Sequence, residues 1–582
     1  MPWYHNYSAV GNSLGLTALV VSIPILFLFW ALAFKRMKGH IAGILTLLLT
    51  LIVTVLAYHM PVRAALSASV LGMVNGLFPI GWIILTAVFF YNLTVEAGQF
   101  EIIKSSISAI SADRRLQALL IAFCFSAFME GVSGQGAPVA VAAAMLIGMG
   151  FPPLSAAIVC LVANTPPVPF GPVGVPTQMM ISVTKINDSV LTRAIGLDMC
   201  IIALIIPVFM LVVLAGWKKA MEVLPAALVA GVSYAITCYF VTRYVGVELP
   251  AILSSFVSIV CLVVFLKFWK PKSIWRFEND PEFPGEMETT YTAGRVTKTA
   301  SSSAVLEISR EIEGSYTAGQ VTRAWSPYVV LMMIMGMWGI PAYKRLILDK
   351  LHWFVSIPSW PWLDGIVFRS APIVARPAKY AANYRWEFFS AAGTAMMISA
   401  LVAMVILGIG PGRGVKVLRK TFKQLSFALV TLASVLGIAY LANYSGMSYT
   451  LGLAFAHYTG RAFPAFSPVI GWIGVFLTGS VTSSAALFGK LQQVTAVAIN
   501  VNPVLTTSAN LFGGVIGKLI SPQSIAIACA ATGLVGRETD IFRSTLRYSI
   551  ILLLFVIAIV LLQAFVIPGI VPVDVASATQ AI

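Results

Sequence analysis

Along most of the chain apolar residues come in runs of about 20, the length a helix needs to cross a bilayer core. Clear runs fill roughly 12–34, 41–59, 70–95, 425–443 and 548–570. The first stops at Lys35, Arg36 and Lys38; the third ends in an amphipathic stretch carrying Lys104, Arg114 and Arg115. Two stretches interrupt this rhythm. Residues 270–324 are polar, hold the densest cluster of acids and contain a local duplication, 291–298 and 316–323, each beginning Tyr-Thr-Ala-Gly. They read as a cytoplasmic connector between two halves. Residues 344–387 carry Trp353, Trp360 and Trp362 and read as an outer interfacial connector. The pattern predicts an all-α polytopic membrane protein with about 12–14 transmembrane helices.

Composition narrows the class by exclusion. Of 582 residues, 59% are apolar and 10% charged, and the mean hydropathy is +0.90. No water-soluble fold hides that much apolar side chain, which excludes a soluble enzyme, a disordered chain and a nucleic-acid-binding module. The net charge of +16 is expected from basic residues gathered in cytoplasmic loops. Lys and Arg are absent before the first run, which places the N-terminus outside and leaves that run uncleaved. The strongest inside marker is 411–424, with Arg413, Lys416, Arg419, Lys420 and Lys423 and no acid. Arg537, Arg543 and Arg547 mark another inside loop, so the C-terminus is also expected outside. Six cysteines in apolar stretches and five scattered histidines form no metal-ligand pattern, and neither a metal nor a cofactor is expected.

The two halves share markers at matched offsets. Gly98 and Gly131 pair with Gly446 and Gly479, 348 residues on; Asn164, Gly171 and Pro176 pair with Asn510, Gly517 and Pro522, 346 residues on. The span before Gly98 runs outside to inside, whereas 425–443 follows a basic inside stretch and runs outward. The repeats are therefore expected to be inverted, as in many secondary transporters. The chain divides into N-terminal helices (1–69), a first repeat (70–216), connecting helices with both polar stretches (217–410), a second repeat (411–546), and a C-terminal helix and tail (547–582).

Each repeat also contains two expected breaks. In the first they are Glu130 to Pro138 and the Pro/Gly-rich 166–176; in the second, Thr478 to Ser484 and the stretch holding Gly513, Gly514, Gly517 and Pro522. Proline removes a backbone donor and clashes with the preceding turn. Broken backbone at membrane depth is tolerated only where protein buries it or a cavity hydrates it. Exposed helix N-termini there suit an anion, and Gly134 and Gly136 allow close backbone approach.

The candidate substrate-binding residues are Ser133, Gly134, Gln135, Gly136, Asn164, Thr165, Asn443, Tyr444, Thr482, Ser483, Ser484, Asn510, Lys518, Ser521 and Gln523. Each alone serves helix packing as readily; gathered at matched breaks they read as a site. Glu130, deep in an apolar run, is the candidate proton carrier, with a structural acid as its alternative. Lys518 either attracts a substrate carboxylate, pairs with an acid or snorkels, and Lys490 reads as snorkelling to an interface.

These residues resemble the bacterial L-lactate permease family from end to end. The resemblance is carried by Gly98-Gln-Phe-Glu-Ile-Ile103, Glu130-Gly131 with Gly136-Ala-Pro-Val139, Asn164-Thr165, Asn443-Tyr-Ser-Gly446, Thr482-Ser-Ser484 and the run Ile520 to Ala528. It implies lactate, D-lactate or glycolate transport in symport with protons across the bacterial cytoplasmic (inner) membrane. It also implies kinship with the ion-transporter superfamily, with re-entrant hairpins, elevator movement and, by analogy, a homodimer. The chain departs from the family pattern at Gln135 (an aromatic), Val481 (an Asp), Ala485 (an Asn) and Lys490 (a small residue). A different small organic anion, or sodium coupling, stays open beside this reading. An enzyme is not expected. The one match in that direction is Gly131-Val-Ser-Gly134, similar to the Gly-x-Ser-Gly of rhomboid intramembrane proteases, with His457 as its only histidine candidate.

Overall fold

The first apolar runs form the helices Leu14–Phe29, Gly39–Tyr58 and Val62–Asn75 of a computed structural model. It describes residues 2–35, 37–108, 110–134, 136–277, 316–339, 343, 346–534 and 536–574. Arg36, Gln135 and the first duplicated stretch, 291–298, lie outside the described residues. Among the described residues ten helices are long and apolar enough to cross a membrane, or eleven if Pro503–Ile520 and Pro522–Thr532, bent by 41°, form one span. This is fewer than expected, because several apolar stretches are cut into short helices: Ala137–Gly148, Pro153–Ala163 and Ala392–Leu407.

Three stretches expected to be loops or connectors are built differently. The basic stretch 411–424 starts a 35-residue helix, Pro411–Ser445. Lys and Arg are good helix formers, and at ~52 Å this helix outruns a ~30 Å hydrocarbon core, so its basic end extends beyond it. Arg543 and Arg547 likewise lie inside the helix Glu538–Phe565. The second duplicated stretch enters the helix Ala318–Gly339.

The segment 344–387 is also more than a connector. Strands β2 (Val355–Ile357) and β5 (Tyr384–Trp386) pair antiparallel. β3 (Val367–Arg369) lies between β4 (Ala378–Lys379) and the N-terminal β1 (Trp3–Tyr4), which pairs with it in parallel. This small β cap ties the N-terminus to one end of the molecule. The Asp574 carboxylate accepts from the Asn187 N–H, and Asn502 Nδ2 donates to the Pro572 carbonyl. Both described chain ends thus meet the same end of the bundle.

The order of elements after Trp82 recurs after Pro411. A helix ends at a glycine with left-handed φ, Gly98 (+69°) or Gly446 (+89°). A short helix follows, then Arg114–Val132 or Phe463–Thr478. Next come two helices joined by a four-residue turn: Ala137–Gly148 with Pro153–Ala163, and Val481–Ala498 with Pro503–Gly517. A single 3₁₀ turn, Val168–Phe170 or Lys518–Ile520, leads to Val175–Thr184 or Pro522–Thr532, and a long helix closes the set. Packing between the sets is reciprocal: Val175–Thr184 lies on Val481–Ala498, and Pro522–Thr532 on Ala137–Gly148. Gly489 abuts Met180 in the first contact and Gly136 abuts Ile527 in the second.

The breaks are narrower than expected. Gly513, Gly514 and Gly517 lie in the uninterrupted helix Pro503–Gly517. They serve close crossing: a Cβ on Gly513 or Gly517 would collide with the carbonyl of Pro468 or Trp472, the small-residue packing of membrane helices. The bend follows at Lys518–Ser521, where Pro522 opens a new helix capped by Ser521. Gly131 is helical and packs on Ile252.

At the end of Arg114–Val132 away from Glu130, Arg115 is fully buried, not a solvated inside marker. Its guanidinium donates to Asp113 (2.7 Å), Glu222 (2.7 Å) and the carbonyls of Lys219 and Ser273. This clamp joins three chain segments.

Candidate functional site

Glu130 stands fifteen residues beyond Arg115, ~22 Å along the helix axis, and two residues before that span ends at Val132. Its carboxylate is 3% exposed and both oxygens are engaged. Oε1 accepts from Lys518 Nζ at 2.8 Å and Oε2 from Asn164 Nδ2 at 2.8 Å. Asn164 in turn accepts from Ser126 Oγ at 3.2 Å. Local backbone explains the meeting. Asn164 caps Pro153–Ala163 where the chain enters the Pro-rich break, and Lys518 opens the 3₁₀ turn after Pro503–Gly517. Gly171 lies against Glu130 so closely that a Cβ would strike its carbonyl, and the Val173 N–H donates to Gly131 O at 2.9 Å. A buried acid from one half therefore meets a lysine from the other, with an amide as second donor.

The other predicted residues divide among several places. Ser484 Oγ reaches Asn510 Oδ1 and the Gly471 carbonyl, each at 3.4 Å, while Asn510 Nδ2 is buried without a hydrogen-bond partner. Asn164 has Glu130 to bond; the position matched to Glu130 is Thr478, and Asn510 has no acid. Ser133 Oγ donates to Met129 O and Thr165 Oγ1 to Val162 O, so both hydroxyls are spent on their own helices. Among the described residues no histidine bonds Ser133, and His457 meets the Tyr458 ring edge-on at 5.0 Å. Gly134, at φ +57°, packs on Pro172. Thr482, Ser483 and Ser484 form the first turn of Val481–Ala498, where the Ser480 hydroxyl accepts from the Ser483 N–H. Ser521 Oγ bonds Ser524, and Gln523 is exposed beside Gly479.

Asn443 and Tyr444 do not join Glu130; they line a cavity of about 870 Å³ under the β cap. The helix Val175–Thr184, ~15 Å long, leads from the break at Gly171 to Lys185 on the cavity floor. Tyr444 Oη donates to Ala381 O (2.9 Å), its ring stacks on Tyr380 at 4.5 Å, and His5 Nε2 donates to its carbonyl (2.9 Å). Burial holds the His5 imidazole down at a pKa of about 4, with the Tyr444 carbonyl opposing and Arg369 assisting. Burial also works on Asp364 in the cap, but the Ala382 N–H, Lys379 and Ser359 outweigh it and keep its pKa below the ordinary carboxylate value.

Sequence reasoning missed the cavity, because Lys185, Arg369 and Tyr449 come from segments far apart in the chain. It also missed Asp198, buried in Asp188–Glu222 and bonded by Gln563 Nε2 at 3.0 Å. An acid inside an apolar run was the available signal there.

Comparison with known proteins places this arrangement. The family model described as L-lactate permease matches residues 17–567. An L-lactate permease of Bacillus subtilis is 44% identical over 98% of this chain and 100% of its own length. The L-lactate permease of Escherichia coli K12 shows the same identity and coverage. A glycolate permease of that organism, GlcA, is 44% identical over 97% of this chain and 99% of its own. The chain belongs to the L-lactate permease family and is a multi-pass membrane transporter.

Proposed function

From membership in that family we propose that the chain carries L-lactate, and with it D-lactate or glycolate, across the bacterial cytoplasmic membrane in symport with protons. The observation that carries this reading is the Glu130–Lys518 pair, with Asn164 on the second carboxylate oxygen. With no substrate present, Lys518 is neutralised by Glu130. A proton on Glu130 removes that partner, and the lysine then takes the carboxylate of an incoming 2-hydroxy acid. Either way one positive charge faces one negative charge. Loading substrate without the proton would leave Glu130 buried and unpaired, which costs several kcal/mol. That penalty is what couples the two cargoes.

Asn510 Nδ2 is a further unspent buried donor in the second half, and such groups are expensive unless a ligand or water satisfies them. The recurring element order and the reciprocal packing across the halves support two inverted repeats. In this reading the two hairpins re-enter the membrane and their repeats move as an elevator about a midplane site, in a homodimer. Both termini then face outward, on the side of the β cap.

The test is radiolabelled L-lactate uptake into proteoliposomes under an inward proton gradient in sodium-free buffer. Accumulation above equilibrium, competed by glycolate, is expected. Uptake that requires sodium and ignores the pH gradient would replace the proton with sodium. Absence of lactate uptake by folded protein would move the substrate to another organic anion.

A further inference from the structure

The cavity under the β cap is distinct from the Glu130–Lys518 centre, and its wall has a one-sided charge. Lys185, Arg369, Lys379 and Lys490 line it, and among the described residues no Asp or Glu does. Of these, Lys379 is neutralised by Asp364 at 2.7 Å. Lys490 Nζ instead donates to Gln493 Oε1 (2.8 Å) and stands 5.3 Å over the Tyr449 ring. Lys185 Nζ donates to Tyr440 Oη (3.4 Å) and lies 5.6 Å from that ring, and Arg369 lies 5.4 Å from the Tyr380 ring. Lys185 and Lys490 are thus held on tyrosine faces, which position the cations without cancelling their charge.

At about 870 Å³ the cavity is far larger than a three-carbon acid. It cannot enclose one such ion, but a wide cleft of one sign with low-dielectric walls concentrates counter-ions. The helix Val175–Thr184 connects its floor to the break against Glu130.

We propose that this cavity is an anion-capture vestibule, in which Lys185 and Lys490 gather small carboxylates at one end of the molecule before they reach the central ion pair. The inference rests on the reading of the chain as a carboxylate transporter and adds where that carboxylate first binds. Capture of this kind is loose and electrostatic. It raises the rate of substrate arrival and leaves the turnover step alone.

Two measurements test it. In proteoliposomes, the double variant Lys185→Gln/Lys490→Gln is expected to raise the KM for L-lactate by about fivefold or more at low ionic strength, with the maximal rate near wild type. Wild-type KM should climb with added salt while that of the variant changes little. A variant with wild-type KM and wild-type salt dependence overturns the proposal. The second measurement does not depend on lactate being the substrate. Ala498, on the exposed rim, is changed to Cys, and its modification in detergent by anionic and cationic thiosulfonates is timed above the background of the native cysteines. The anionic reagent should react at least about threefold faster, and the preference should vanish in the double lysine variant. Equal rates in the wild-type background overturn the vestibule, even where lactate transport itself fails.

Discussion

Buried Glu130 and partly buried Lys518 form an ion pair whose value lies in being breakable. Desolvating two charges is expensive, and their attraction repays it only with good geometry and further hydrogen bonds, here supplied by Asn164 at 2.8 Å. Lys518→Met leaves the Glu130 carboxylate without its cation. We expect it to abolish lactate uptake and to lower the melting temperature of purified protein by several degrees, the mark of a lost buried partner. The cap offers a separate pH test. The His5 pKa is depressed to about 4, so at neutral pH the ring is uncharged both folded and unfolded. As pH falls below about 6.5 the unfolded chain takes up the proton first, and stability is lost progressively down to about pH 4, by up to ~3 kcal/mol. Thermal melts should show that acid-side loss in wild type and a shallower loss in His5→Gln. Identical slopes would mean that His5 does not titrate in this window.

At the scale of elements, close helix crossing explains several glycines that the sequence alone presents as breaks. Gly471 and Gly513 let Phe463–Thr478 and Pro503–Gly517 touch backbone to backbone, whereas a Cβ on Gly148 meets nothing within 4 Å. Gly471→Ala or Gly513→Ala should cost about 1–3 kcal/mol by overpacking, and Gly148→Ala should not lower the melting temperature. The Arg115 clamp predicts more. Arg115→Gln strands Asp113 in the interior, and a loss of about 3–5 kcal/mol should appear as poor yield of folded protein, only partly relieved by Arg115→Lys, which lacks the planar fork. Repeating glycine and proline made these elements legible in outline. Spacing alone does not separate a glycine that ends a helix from one that permits a crossing, since both need the missing Cβ. Arg115 misled for a related reason: a basic residue at a span end reads as solvated until the acids that bury it, Asp113 and Glu222, are seen to surround it.

Across the whole molecule, the division into apolar spans was written in the chain, because bilayer thickness acts locally. The same is true of Glu130, Asn164 and Lys518 as candidates, each conspicuous in its own apolar or broken segment. That they meet was not legible, since 388 residues separate the acid from the lysine. Nor was the vestibule, which needs the N-terminal strand, the 344–387 cap and helices of both halves to be assembled first. The resulting molecule has a cationic chamber at the capped end, an ion pair joining the first and second parts of the chain, and reciprocal helix packing between them. The central claim is that Glu130 carries the proton whose presence releases Lys518 to the substrate. The most direct test is lactate counterflow set beside gradient-driven uptake in Glu130→Gln proteoliposomes. Gln is permanently neutral, like the protonated acid, so exchange of internal for external lactate should persist while accumulation driven by a proton gradient is lost. Gradient-driven accumulation at the wild-type level in Glu130→Gln would contradict the account.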